Sequence, residues 1–224
     1  MFSSNTTQVS SDVNYIEDVF STWLYTGNET TNTINNGIDL AGDGGLVWLK
    51  PRDLALGHIL EDTARGIGTF LRTNTTAAQA SDAGYFQSVN SNGFTLTGGS
   101  SNWNQLTSTY ASWTFRKQPK FFDVVTFSTT TGSSVPITVN HNLGSVPGCI
   151  IVKPTNITAD WAVYHRSLGS SQYLTLNNTD QSQNGGTSKW YSTPTSTSFT
   201  LGGDFVQNAT YVAYVFAHNA GGFG

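Results

Sequence analysis

The sequence predicts an all-β fold, built as two tandem copies of a β-sandwich or jelly-roll-like module. Three observations lead there. The apolar runs are dominated by Thr, Val, Tyr, Phe and Trp, branched and aromatic side chains that suit a pleated, half-buried surface. Gly- and Asn-rich turn signals cut the chain into short runs, at Asn36-Gly37, Asp43-Gly44-Gly45, Ser91-Asn92-Gly93, Gly98-Gly99, Asn184-Gly185-Gly186 and Gly202-Gly203. The chain also matches itself in six ordered blocks.

In chain order, residues 1–15 lack an apolar period and read as an extended N-terminal arm with one apolar anchor, Phe2. Residues 16–116 form the first module and 121–217 the second. Asp18-Val19-Phe20 through Gly27 matches Asp123-Val124-Val125 through Gly132. Gly45-Leu46-Val47-Trp48-Leu49-Lys50-Pro51 matches Gly148-Cys149-Ile150-Ile151-Val152-Lys153-Pro154. These are continuous apolar runs, as in a strand covered on both faces, so Trp48 and Ile151 are expected to be buried at equivalent places. The stretch from Asp53 to Ala64 carries a weak helical pattern. Phe70-Leu71 and Asn74 match Tyr173-Leu174 and Asn177; Tyr85-Phe86 matches Trp190-Tyr191; Phe94-Thr95-Leu96 matches Phe199-Thr200-Leu201. Tyr110 to Phe115 matches Tyr211 to Phe216, both alternating with the two-residue period of a strand. A charged linker with a proline, residues 117–120, joins the modules, and residues 218–224 are a Gly-rich tail.

Composition narrows the function. Of the 224 residues, 12% are aromatic, too many for a chain that cannot collapse, and only 11% are charged. The net charge is −4 with no Lys/Arg block, which excludes a nucleic-acid partner of the usual electrostatic kind. No apolar run reaches the roughly 18 residues of a membrane span, and the first residues are too polar for a secretory leader. Cys149, the single cysteine, lies in an apolar run and reads as a small hydrophobe.

Chemistry-bearing side chains gather twice. His58, Glu61, Asp62 and Arg65 form one group; Asp160, His165 and Arg166 form its counterpart. The groups do not repeat position by position, since His58 aligns with Trp161 and Asp62 with His165, so no acid–base pair or metal set is fixed. No nucleophile elbow, phosphate loop or paired-Cys motif is present. The chain is therefore expected to be no enzyme and to need no cofactor. His141 reads as a turn residue. Among the aromatics, Trp190 and Tyr191 repeat a framework pair, whereas Trp103 sits in a Ser/Asn-rich turn and is the candidate for an exposed contact, together with Phe2.

The blocks Phe20 to Gly27, Gly37 to Gly42, Gly44 to Lys50, Asp62-Thr63-Ala64-Arg65-Gly66, Gly93 to Leu96, His141 to Gly144 with Pro147, Ile150 to Lys153, Trp161 to His165 and Phe199 to Gly202 resemble a known family. It is a repeated, functionally uncharacterised β domain of structural and tail-fibre-like proteins of marine tailed phages, cyanophages among them. The resemblance spans roughly residues 18–217. It implies a virion structural protein, a tail or neck appendage that contributes to assembly or host attachment, made in the bacterial cytoplasm. A capsid decoration protein and a glycan-binding receptor adhesin are the alternatives. The implied partners are other virion proteins, further copies of the chain as a homo-oligomer, and a glycan of the host surface. The chain departs from a fibre in having no heptad shaft and no collagen-like run.

Overall fold

Branched and aromatic runs form strands throughout the computed structural model, which describes residues 15–130, 136–205 and 208–218. The helical element among them is a 3-10 turn at Ile16–Asp18. The first half carries β1 (Phe20–Thr26), β2 (Asn32–Asn35), β3 (Gly45–Pro51), β4 (Ile59–Asp62), β5 (Thr69–Arg72), β6 (Ala80–Ser81), β7 (Phe86–Asn90), β8 (Gly93–Leu96) and β9 (Thr109–Arg116). The second half carries β10 (Phe122–Ser128), β11 (Ile137–Asn140), β12 (Pro147–Pro154), β13 (Ala162–His165), β14 (Gln172–Thr175), β15 (Gln183–Asn184), β16 (Ser198–Leu201) and β17 (Thr210–Ala217). The protein is all-β, with antiparallel sheets.

Each half contributes one large sheet, in the orders β1-β9-β3-β4-β5-β6 and β10-β17-β12-β13-β14-β15. The registers correspond as well as the orders. Pro51 faces Tyr110 as Pro154 faces Tyr211, Trp48 faces Trp113 as Ile151 faces Tyr214, and Leu46 faces Asp62 as Cys149 faces His165. The small sheets differ: β2-β8-β7 has three strands, β11-β16 has two, and a single bridge from Trp190 to Leu201 stands where β7 would be.

Alternation along the strands distributes the apolar side chains into three layers. Val47, Leu49, Ile59, Phe94 and Tyr110 fill the space between the first half's large and small sheets. Ile150, Val152, Tyr164, Phe199 and Tyr211 do the same in the second half. The opposite faces of the two large sheets meet in a middle layer, where Leu46, Leu60 and Leu71 pack on Phe122, Val124, Ile151, Trp161, Val163 and Tyr214. The two halves therefore share a continuous apolar layer.

The weak helical pattern over 53–64 gives way to β4. Ile59 points into the first half's own core and Leu60 into the middle layer. A sheet covered on both faces needs apolar groups on both, and so short a run cannot be told from helix by periodicity. Ile151 is buried as expected. Trp48, expected to be buried, is only half-buried, packed against the middle layer as a partly covered side chain. At Gly45 a Cβ would meet the Phe115 carbonyl oxygen at 2.0 Å, so the close approach of β3 to β9 requires glycine.

The linker is tied down. Gln118 and Phe122 exchange backbone hydrogen bonds, the Lys120 N–H donates to the Leu143 carbonyl (2.6 Å), and the Lys117 ammonium pairs with Asp123 (3.2 Å). Phe115, Phe122 and Phe216 cluster beside it, with ring centroids 5.0–5.5 Å apart.

Candidate functional site

The densest group of ionisable side chains lies where the halves meet. Alternation on β4 splits the cluster seen in the sequence: Asp62 points to the middle layer, Glu61 into the first half's core. The Asp62 carboxylate accepts from the Arg65 backbone N–H (2.9 Å) and from Arg65 Nε (2.6 Å). It also accepts from the Tyr214 hydroxyl of the second half (2.8 Å). Arg65 Nη2 donates to the Leu60 carbonyl (3.0 Å). The Asp62 and Arg65 side chains are 0% and 3% exposed, so this ion pair is screened from water and closed by its own partners. Burial, then the Asp62 charge, raises the Tyr214 phenol well above its ordinary range, so the hydroxyl stays a donor.

Glu61 is 1% exposed, and neither carboxyl oxygen makes a hydrogen bond of ordinary geometry. Burial, then the neighbouring Asp82 charge, pushes its pKa up to about 9, outweighing the pull of Arg65. It is therefore neutral at pH 7. Asp82 is occupied by the Gly84 and Phe86 N–H groups, each at 2.7 Å. His58 stands apart from both carboxyls. Its Nδ1 accepts from the Trp48 indole N–H (2.8 Å), and its ring stacks on Trp113. Burial, then the Lys50 charge, lowers its pKa, which fits an imidazole that must keep that lone pair.

The second group does not assemble. Asp160 accepts from Asn177 (2.8 Å), while His165 and Arg166 are exposed, and His165 Nδ1 accepts the Ser167 N–H (3.3 Å). His141 caps a turn, its Nδ1 accepting the Leu143 N–H (3.2 Å). Burial pushes the Cys149 thiol up to about 11, as for a small hydrophobe beside the middle layer. Among the described residues no group of three or more His, Cys, Asp or Glu is placed to hold a metal ion.

Trp103 is not the exposed contact that its polar surroundings suggest. It is 3% exposed, stacked on Tyr85 (5.7 Å) and edge-on to Phe70 (5.1 Å). The cause is Asn104, whose buried amide donates to Asn28, to the Thr30 carbonyl (2.7 Å) and to the Gly98 carbonyl (3.1 Å), drawing the turn down onto the core. Phe2, with the arm before Tyr15, lies outside the described residues. Trp190 is a core residue and Tyr191 is exposed.

Two lysines were passed over in the sequence. Lys153 is 0% exposed and its ammonium donates to the Pro154 carbonyl (2.8 Å); Lys50 donates likewise to the Pro51 carbonyl. Burial lowers the Lys153 pKa to about 8. The signal was the Lys-Pro pair closing both matched strands.

Hydrogen bonds also cross between the halves. The Trp161 indole N–H is shared between the Arg72 (3.1 Å) and Thr75 (3.2 Å) carbonyls, and the Gln79 N–H donates to the Thr155 carbonyl (2.8 Å). No helix among the described residues is long and apolar enough to cross a membrane. A family model, domain of unknown function (DUF7483), matches residues 16–224 as one span covering both halves. No curated protein and no solved structure matches the chain.

Proposed function

We propose that this chain, which belongs to the DUF7483 family, is a structural protein of a tailed-phage particle, a tail or neck appendage built from two tandem copies of one β-sandwich. The common strand order and register of the two large sheets support the duplication. The family span, covering both halves at once, supports the pair as the working unit.

One observation carries the structural role. Two-domain enzymes commonly place their site in the crevice between domains. Here the middle layer packs the two large sheets face to face, and its ionisable groups are spent on one another in the Asp62–Arg65–Tyr214 network. The open cleft left at its edge, lined by Arg65, Gln79, Thr126, Ser128, Thr155 and Thr210, carries no carboxylate, histidine or cysteine. Such a junction gives a stiff block suited to bearing load. The N-terminal arm and further copies of the chain are the proposed means of attachment. Antibody raised against the purified chain should decorate purified particles of the encoding phage at the tail or neck. Particles that carry no label, with the protein left in the cell lysate, would rule the reading out.

A further inference from the structure

The second half has an open groove of about 350 Å³ beside β14, within the usual size range of small-molecule pockets. Its apolar wall is made by Tyr173 and Phe205. The Lys189 ammonium lies over both rings, 5.2 and 5.9 Å from their centroids, and 3.8 Å from Asp204. Asp160, Asp180 and Asp204 all line the groove, against that one ammonium.

The polar groups are held in place before any ligand arrives. Asp180 accepts from Asn178 (2.8 Å) and from Gln183 (3.2 Å), and Gln183 accepts from the Tyr173 hydroxyl (2.5 Å). Asp204 accepts from Ser188 (2.9 Å). An ionised carboxylate has about four acceptor positions, so these fixed groups keep capacity for more donors.

The same place in the first half is closed. By strand pairing and sequence match, Phe70 stands for Tyr173, Ala80 for Gln183 and Arg72 for Thr175, and Trp103 takes the place of Phe205. Trp103 packs edge-on to Phe70, and the Arg72 guanidinium covers the Phe70 ring at 5.1 Å. The opening is therefore a property of the second half's side chains and not of the shared strand order.

We infer that this groove binds a neutral hexopyranose residue of a glycan. A sugar ring presents an apolar C–H face to an aromatic wall and hydroxyls that both donate and accept. The groove offers that combination once the flexible Lys189 stem swings its ammonium off the Tyr173 ring: a ring face, fixed carboxylate acceptors, amides and one ammonium donor. Three carboxylates against one ammonium disfavour uronic and sialic acids. The site goes beyond the particle reading and stands without it, because it concerns binding by the isolated chain.

The test is calorimetric titration of the full chain with maltohexaose, cellohexaose and chitohexaose, with a hexamer of galacturonate as the anionic comparison. At least one neutral oligosaccharide should bind saturably at millimolar concentration or below, and the galacturonate at least tenfold more weakly. Asp180→Ala should weaken binding at least tenfold. Thr175→Arg, which copies the first half's plug into an open groove, should abolish it, with thermal unfolding unchanged to show that the protein is folded. Leu106→Ala, at an exposed site in the other half, should leave binding unaltered. No binding of any neutral oligosaccharide, equal binding of the galacturonate, or full binding by folded Thr175→Arg would each overturn the inference.

Discussion

Replacing Glu61 by glutamine should remove a pH dependence that the wild-type protein carries in its folding equilibrium. Glu61 is buried with neither carboxyl oxygen in a hydrogen bond of ordinary geometry, and its pKa rises from an ordinary 4.5 to about 9. Below pH 4.5 the carboxyl is protonated in both states. Between pH 4.5 and 9 the unfolded chain releases that proton and the folded chain keeps it. The folded state then binds more protons, so stability falls as pH rises, by about 1.4 kcal/mol per unit. From pH 4.5 to pH 7 the loss is about 3 kcal/mol, or roughly 6–12 °C in melting temperature for a chain of this length. Glutamine occupies the same volume and does not ionise. Thermal unfolding of both proteins by circular dichroism at pH 4.5, 5.5, 6.5 and 7.5 isolates the effect, because every other titrating group is common to both. The glutamine variant should gain on the wild type steadily as pH rises. Parallel profiles would refute the raised pKa of the buried carboxyl.

Four other substitutions probe the junction and the buried Lys153. Asp62→Asn leaves Arg65 buried without its counter-charge and should cost about 3–5 kcal/mol in denaturant unfolding, whereas Tyr214→Phe, losing one hydrogen bond to a charge, should cost about 1.5–3 kcal/mol. Trp161→Ala should cost about 3–5 kcal/mol, because a fully buried indole that bonds across the halves is lost from the middle layer; an unchanged unfolding midpoint would contradict that packing. Lys153 has a lowered pKa of about 8, so the folded state binds fewer protons than the unfolded one between pH 8 and 10.5, and wild-type stability should rise across that window. Lys153→Met should flatten the rise, measured by unfolding at pH 7.5, 9 and 10.

Much of the strand layout was legible because backbone pairing imposes a period on the sequence. The matched blocks Leu46 to Pro51 and Cys149 to Pro154 lie on strands that pair in one register in each half. Continuous apolar runs announced faces covered on both sides, but not by what. That the two large sheets cover each other depends on residues as distant as Asp62 and Tyr214, and no local pattern records that contact. The short β4 was hidden for the same reason, since Leu60 is apolar on account of the other half. Trp103 misled because polar neighbours usually mark a surface turn; here a satisfied Asn104 brings the turn inward. The groove is not legible in single residues, because it depends on the difference between Tyr173, Gln183 and Phe205 in the second half and Phe70, Ala80 and Trp103 in the first.

The central claim, that this paired β block is a structural part of a tailed-phage particle, is tested most directly by an electron cryomicroscopy reconstruction of the encoding phage. The account predicts density at the tail or neck into which the block fits as one rigid body, with two six-stranded sheets face to face and the Asp62–Tyr214 contact at their junction. A complete reconstruction in which every tail, neck and capsid density belongs to other chains would contradict it.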